Sequence, residues 1–178
     1  MIVSRRFALT LFSGAALSAA PLVALAAGSG SRRLAFEHIH TGERLAATYR
    51  TETGYDREAL GDIAHVLRDW RTGEVMEMDP ALLDQLFEVQ AKLGHGGAVR
   101  VISGYRSPKT NTALAGAGRG VAKRSLHMQG RAIDIALPGI RTPDLRDAAL
   151  ALKSGGVGTY SRSGFVHLDT GRVRRWGS

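Results

Sequence analysis

The chain has no cysteine, which excludes disulfides, cysteine zinc sites, iron–sulfur clusters and thiol nucleophiles together. Chemistry must therefore come from histidines, carboxylates, hydroxyls or a metal that they hold. Only five prolines stand among 178 residues, and the 22 glycines follow no three-residue period. No repeat of about 20 to 50 residues is present either, so collagen-like and solenoid architectures drop out. Acidic residues are in deficit, 16 against 24 Lys and Arg, for a net charge of +8. Such a balance favours anionic partners without choosing among them. Basic heptad helices, zinc-finger spacing and aromatic RNP-type strands are all missing, so no nucleic acid partner is expected. No glycine-rich phosphate loop leads from a strand into a helix. What is present, 44% apolar and 22% charged side chains, suits one compact domain with its own core.

The N-terminus has a three-part layout: a short basic start at 1–6, an almost uncharged apolar run at 7–26, and the small-residue ending Ala24-Leu25-Ala26. This predicts a signal peptide over 1–26 and an exported, periplasmic protein. Ser4-Arg5-Arg6 resembles a twin-arginine signal, although Ala8 stands where that pattern prefers Phe. About 20 apolar residues could also serve as a retained anchor, but the small-residue ending favours cleavage, and no stable membrane span is expected afterwards. Residues 27–32 read as a linker and 33–178 as a single domain.

Alternation over 34–40, a Thr41-Gly42 turn and the stretch 43–49 read as a β-hairpin. A helical period opens at Asp56 and runs to about Trp70. Asp79-Pro80 supplies an N-cap with proline at the first helical position, and Gly94 a stop. His65 and His95, on the first helix and in the glycine loop, read as solvent-facing or packing residues. Strands are expected at 98–103, 131–137, 157–160 and 165–169, with helices after Ser107-Pro108 and Thr142-Pro143 and a flexible basic loop at 116–123. Helices first, then strands interleaved with short helices and tight turns, predict an α+β fold with a small antiparallel sheet and flanking helices.

Three positions stand out as chemistry. In 131–137, Ile133 and Ile135 share one face while Ala132, Asp134 and Ala136 share the other. Isoleucines in the core put Asp134 on the site-facing side, flanked by alanines too small to cover it. Gly130 permits a tight turn that folds His127 back beside that carboxylate. The parity recurs in 165–169, with Val166 and Leu168 facing one way and His167 and Asp169 the other. Two imidazoles and a carboxylate suit a catalytic zinc ion with a fourth position open to water.

As motifs, Ser103-Gly104-Tyr105-Arg106-Ser107, then the S-x-H-x-x-G-x-A-x-D run from Ser125 to Asp134, then Phe165-Val166-His167-Leu168-Asp169 resemble, in order, the zinc D-alanyl-D-alanine peptidase and murein endopeptidase superfamily. The match looks like its bacterial domain-of-unknown-function 882 branch and covers about residues 33–176. The resemblance implies a Hedgehog/D-Ala-D-Ala peptidase-like zinc site with Zn2+ on His127, Asp134 and His167. It also implies that Arg106 engages a substrate carboxylate or developing oxyanion; the plain alternative for Arg106 is a structural ion pair. Many relatives carry an acid three positions before the last histidine, where Gly164 stands here. Asp169 is the nearest candidate in sequence, either as proton shuttle or as a partner that orients His167.

The function expected is zinc-dependent hydrolysis of amide bonds in peptidoglycan stem peptides or cross-links, with peptidoglycan peptides as partners. The alternatives are a zinc-containing module that binds wall peptides or another protein without cutting, and an exported basic binding protein without metal. The residues do not choose between D,D and L,D bonds, between carboxypeptidase and endopeptidase action, or among oligomeric states.

Overall fold

The computed structural model describes residues 30–117 and 122–177. The expected signal segment 1–26 lies outside them, as do part of the linker and the centre of the 116–123 loop. The described chain runs β1 (Arg32–His38), β2 (Arg44–Thr51), β3 (Gly54–Tyr55), α1 (Arg57–Val66), α2 (Pro80–Lys92), β4 (Val99–Ser103), α3 (Pro108–Gly116), β5 (Ala132–Ala136), α4 (Thr142–Leu152), β6 (Gly156–Tyr160), β7 (Phe165–Asp169) and β8 (Arg174–Gly177). Short 3₁₀ turns occupy Leu126–Gln129 and Ser161–Ser163.

The fold is α+β, but the sheet is neither small nor purely antiparallel. Eight strands lie in the order β3-β2-β1-β4-β5-β7-β6-β8, and the β1–β4 and β6–β8 pairs are parallel. The first parallel pair arises because α1 and α2 intervene between β1 and β4, giving the crossover length that two strands of one direction require. The second arises because the chain reverses after β7 and lands on the far side of β6. The short edge strands β3 and β8 lack apolar alternation and are not evident in the sequence. Strand β1 begins at Arg32, inside the range read as linker.

Side-chain oxygens start three helices as the sequence suggests. Asp56 accepts from the Ala59 N–H at 3.1 Å, Asp79 from Ala81 at 3.0 Å and Ser107 from Thr110 at 3.2 Å, each satisfying an otherwise orphaned donor. Gly94 closes α2 at φ 61°. Helices α1 and α2 pack on β2 and β1, and α4 packs on α2, β6 and β7. Between them and the sheet lies the core, with Leu34, Phe36, Val99, Val101, Ile133, Ile135, Val166 and Leu168 meeting Ile63, Leu67, Leu82, Leu86, Val89 and Leu145. Each such side chain contributes roughly 1.5–3 kcal/mol on burial, so one face of the central strands is committed to packing and the other is left for the site. His65 is exposed, 4.0 Å from Glu43, and His95 meets the Gln90 amide at 2.9 Å. Both are peripheral, as expected.

Candidate metal centre

The site is a transverse row of the sheet. Ser103 lies opposite Asp134, Asp134 opposite His167, His167 opposite Gly158, and Gly158 opposite Trp176. The neighbouring row on the same face holds Ala132, Asp169, Gly156 and Arg174. A bulge between Val101 and Ser103 breaks strict alternation in β4, which lets Val101 stay in the core while Ser103 joins the site row. Between the rows, Ile133 and Leu168 are fully buried on the core face. The parity expected of β5 and β7 is therefore the parity observed.

His127 reaches the row from the 3₁₀ turn before β5. Gly130 ends that turn at φ 65°, and a Cβ there would strike the Glu77 carbonyl. The His127 carbonyl accepts the Arg106 N–H at 3.2 Å, and its ring Nδ1 donates to the Gly104 carbonyl at 2.7 Å. His167 Nε2 donates to Asp169 Oδ2 at 3.0 Å.

These outward contacts decide what faces inward. A carbonyl and an ionised carboxylate only accept, so the proton of each neutral ring sits on His127 Nδ1 and His167 Nε2. That leaves His127 Nε2 and His167 Nδ1 as lone pairs 3.1 Å apart. Asp134 Oδ1 lies 2.8 Å from the second and 3.3 Å from the first. One ligand atom from each residue falls within 4.8 Å of the others, and all three residues are buried. Three acceptors converging without a hydrogen between them call for a cation, and two imidazole nitrogens with one carboxylate oxygen fit a borderline ion such as zinc.

The electrostatics point the same way. Burial holds the His127 pKa below that of a free imidazole. Burial also pushes His167 down, but Asp134 and Asp169 outweigh it and raise its pKa. For Asp134, burial favours the neutral acid, and the two imidazoles overcome this and hold the carboxyl below its usual range. A proton on His167 Nδ1 and a metal ion thus compete for one place.

Asp169 is fully buried. Its Oδ1 accepts from the N–H groups of Gly156 (3.1 Å) and Gly171 (2.8 Å) and from Arg174 (3.0 Å). Its Oδ2 accepts from His167 and from Arg174 at 2.7 Å. Burial alone would raise this carboxyl, but His167, Arg174 and the Gly171 amide outweigh it and hold it ionised well below the ordinary carboxylate range. Arg106 donates through Nη2 to Asp134 Oδ2 and to Ser103 Oγ, both at 3.3 Å, while its buried Nε–H has no partner. Burial lowers the Arg106 pKa, Asp134 opposes this, and the charge of nearby Arg71 adds to the lowering.

A cleft of about 630 Å³ opens over these groups, and its walls include His40, Arg71, Tyr160 and Trp176 as well. The chain from the residue before the expected mature start to β8, residues 26–176, matches the family described as peptidoglycan L,D-endopeptidase MepK. The chain belongs to this family. Two relatives bear the same name: a protein of Escherichia coli strain K12, 43% identical over 92% of this chain and 90% of its own, and one of Shigella flexneri with the same figures. A Haemophilus influenzae protein described as a probable peptidoglycan L,D-endopeptidase MepK is 41% identical over 82% of this chain and 78% of its own. No solved structure matches the chain significantly. The resemblance to zinc murein endopeptidases in the sequence is thereby borne out, and the MepK family match spans every residue of the cleft.

Four residues of this MepK-family cleft escape a reading of the sequence. Arg174 and Trp176 sit on the unrecognised β8. Trp176 lies 5.1 Å from the His167 ring between centroids, bears the Arg174 guanidinium 4.8 Å over its own ring, and donates to the Tyr160 hydroxyl at 3.2 Å. The signal available was the pairing of two glycines, 156 and 158, with two bulky residues at the same spacing, 174 and 176. A Cβ at Gly156 would strike Arg174, and one at Gly158 would come within 2.6 Å of the indole. Arg71 and His40 carry no motif at all. Gly164, where many relatives have an acid, adopts φ 70° at the end of the second 3₁₀ turn.

Proposed function

We propose that this protein is a zinc-dependent endopeptidase that hydrolyses L,D amide bonds in peptidoglycan cross-link peptides. The observation that carries the reading is the convergence, within 4.8 Å, of one ligand atom each from buried His127, Asp134 and His167 in a chain of the MepK family. The names of the relatives favour L,D endopeptidase action, and they favour hydrolysis over a module that only binds wall peptides.

His127 Nε2, an Asp134 oxygen and His167 Nδ1 would hold the zinc. When bound, it supplies Lewis acidity to the scissile carbonyl and to an attacking water. The Gly104 carbonyl fixes the His127 tautomer, and Asp169 fixes that of His167. Arg106 engages negative charge on the substrate through guanidinium donors that its Nη2 contacts with Asp134 and Ser103 leave over. We assign Asp169 to positioning rather than proton transfer, because its five hydrogen bonds leave no oxygen lone pair turned to the cleft. Trp176 shields the outer face of His167 from water.

For the compartment we propose export with removal of residues 1–26 by the twin-arginine route and action in the periplasm, followed by a mature domain over 33–178. Among the described residues no helix is long and apolar enough to cross a membrane. Digestion of defined muropeptides by zinc-loaded protein, with mass analysis of the products, tests the activity. Products cut between an L and a D centre are expected; tight binding of the muropeptides without any product would overturn the reading.

A further inference from the structure

Four guanidinium groups line the cleft, and two are already matched to carboxylates: Arg106 to Asp134, and Arg174 to Asp169. Arg71 is not. Among the described residues it makes no ion pair; its guanidinium lies 4.1 Å over the Trp70 ring, and the same indole stacks 4.4 Å from His40. Stacking of this kind orients a guanidinium plane and leaves its N–H edge free to donate. Arg124 lies on an exposed loop and has no such fixing.

The backbone of Arg71 is fixed as well. Asp69, 1% exposed, accepts the Arg71 N–H through Oδ1 at 3.0 Å and the Ser107 N–H through Oδ2 at 2.9 Å. One buried carboxylate thus ties the loop of Arg71 to the loop of Arg106. The Asp69 carbonyl also accepts from Thr72 and Gly73 at 3.2 and 2.7 Å, closing the turn. Arg71 is near enough for its charge to act on both Arg106 and His40.

Arg71 and Arg106 line one cleft, where their like charges repel, and the buried Asp69 carboxylate nearby is committed to the Arg71 and Ser107 backbone N–H groups. In addition, Arg106 commits only Nη2, to Asp134 and Ser103, and keeps further guanidinium donors for an acceptor in the cleft. A carboxylate has two oxygens in one plane, which matches paired guanidinium donors better than any neutral group does. We propose that Arg71 and Arg106 together bind a carboxylate of the peptide, and that Arg71 makes the enzyme selective for substrates with a free carboxylate beside the scissile amide. The proposal rests on the peptidase reading above, and the Arg106 contact with Asp134 places this carboxylate next to the reacting bond.

The test compares two synthetic cross-link peptides that differ only in a free carboxylate or a carboxamide on the residue following the scissile bond. Zinc-loaded wild type should prefer the carboxylate by about 10- to 100-fold in kcat/KM and in calorimetric Kd, the range for a charge-assisted pair. In Arg71→Met the preference should collapse to within roughly threefold, through KM rather than kcat, and Arg71→Lys should restore part of it because charge returns without the fork. Zinc content and melting temperature report whether either variant has disturbed the fold. An undiminished preference in Arg71→Met, or none in wild type, overturns the proposal. If neither peptide is cut by wild type, the peptidase reading fails, and the ratio of the two Kd values still decides the subsite.

Discussion

His167 stands between two carboxylates that do different work. Asp134 meets its inward nitrogen at 2.8 Å and Asp169 its outward one at 3.0 Å. The outward bond keeps the proton on Nε2 and so keeps Nδ1 available for a metal. Asp169→Asn weakens that constraint, since an amide is a poorer acceptor and can turn its NH₂ group toward the ring. The expected outcome is a loss of zinc affinity of about 10- to 100-fold, as for other partners of metal-bound histidines, with activity recovered at excess zinc. Competition with a chromophoric chelator measures the affinity. Unchanged affinity with activity lost at every zinc concentration would make Asp169 the proton shuttle instead.

At the level of elements, the site depends on backbone positions as much as on ligands. Gly130 combines a left-handed φ with a close approach to Glu77 and sets the entry of His127 into the row. Gly130→Ala should cost roughly 2 kcal/mol or more, from the αL penalty plus displacement of the turn, and should weaken zinc binding in the same sample; chemical denaturation and zinc titration check the two. The elements most legible in the sequence are those with alternation: Ile133 and Ile135 against Asp134, and Val166 and Leu168 against His167, assign both faces of β5 and β7 from local pattern alone. Asp79-Pro80 and Ser107-Pro108 likewise mark α2 and α3 by local capping chemistry. Strand β8 has no such pattern, because its residues are chosen to fill the space over Gly156 and Gly158 on a neighbouring strand. Arg71 is illegible for a related reason: Asp69 ties its loop to that of Arg106, 35 positions further along the chain, and nothing in the residues around it announces that link. The parallel β1–β4 pairing depends on how α1 and α2 cross over, which hydrophobic period does not encode.

Across the whole molecule, packing and chemistry are divided between the two faces of the central strands. Helices α1, α2 and α4 cover one face, while the ligands and the arginines occupy the other. This division lets ligand substitutions leave the core intact, so His127→Ala and His167→Ala should lose metal while keeping the far-ultraviolet spectrum of the folded protein. At the same scale, N-terminal sequencing of exported protein should begin near Ala27. Replacing Arg5 and Arg6 by Lys should block export if the twin-arginine route is used, and unchanged export would assign the general secretory route. The most direct test of the account is the metal content of mature protein purified without added metal and then titrated with zinc. Elemental analysis should approach about one zinc per chain in wild type, as a single tetrahedral site requires, and fall to near zero in His127→Ala. Less than about a tenth of an equivalent in wild type, with no gain on titration to the roughly stoichiometric level a closed ligand set binds, would contradict it.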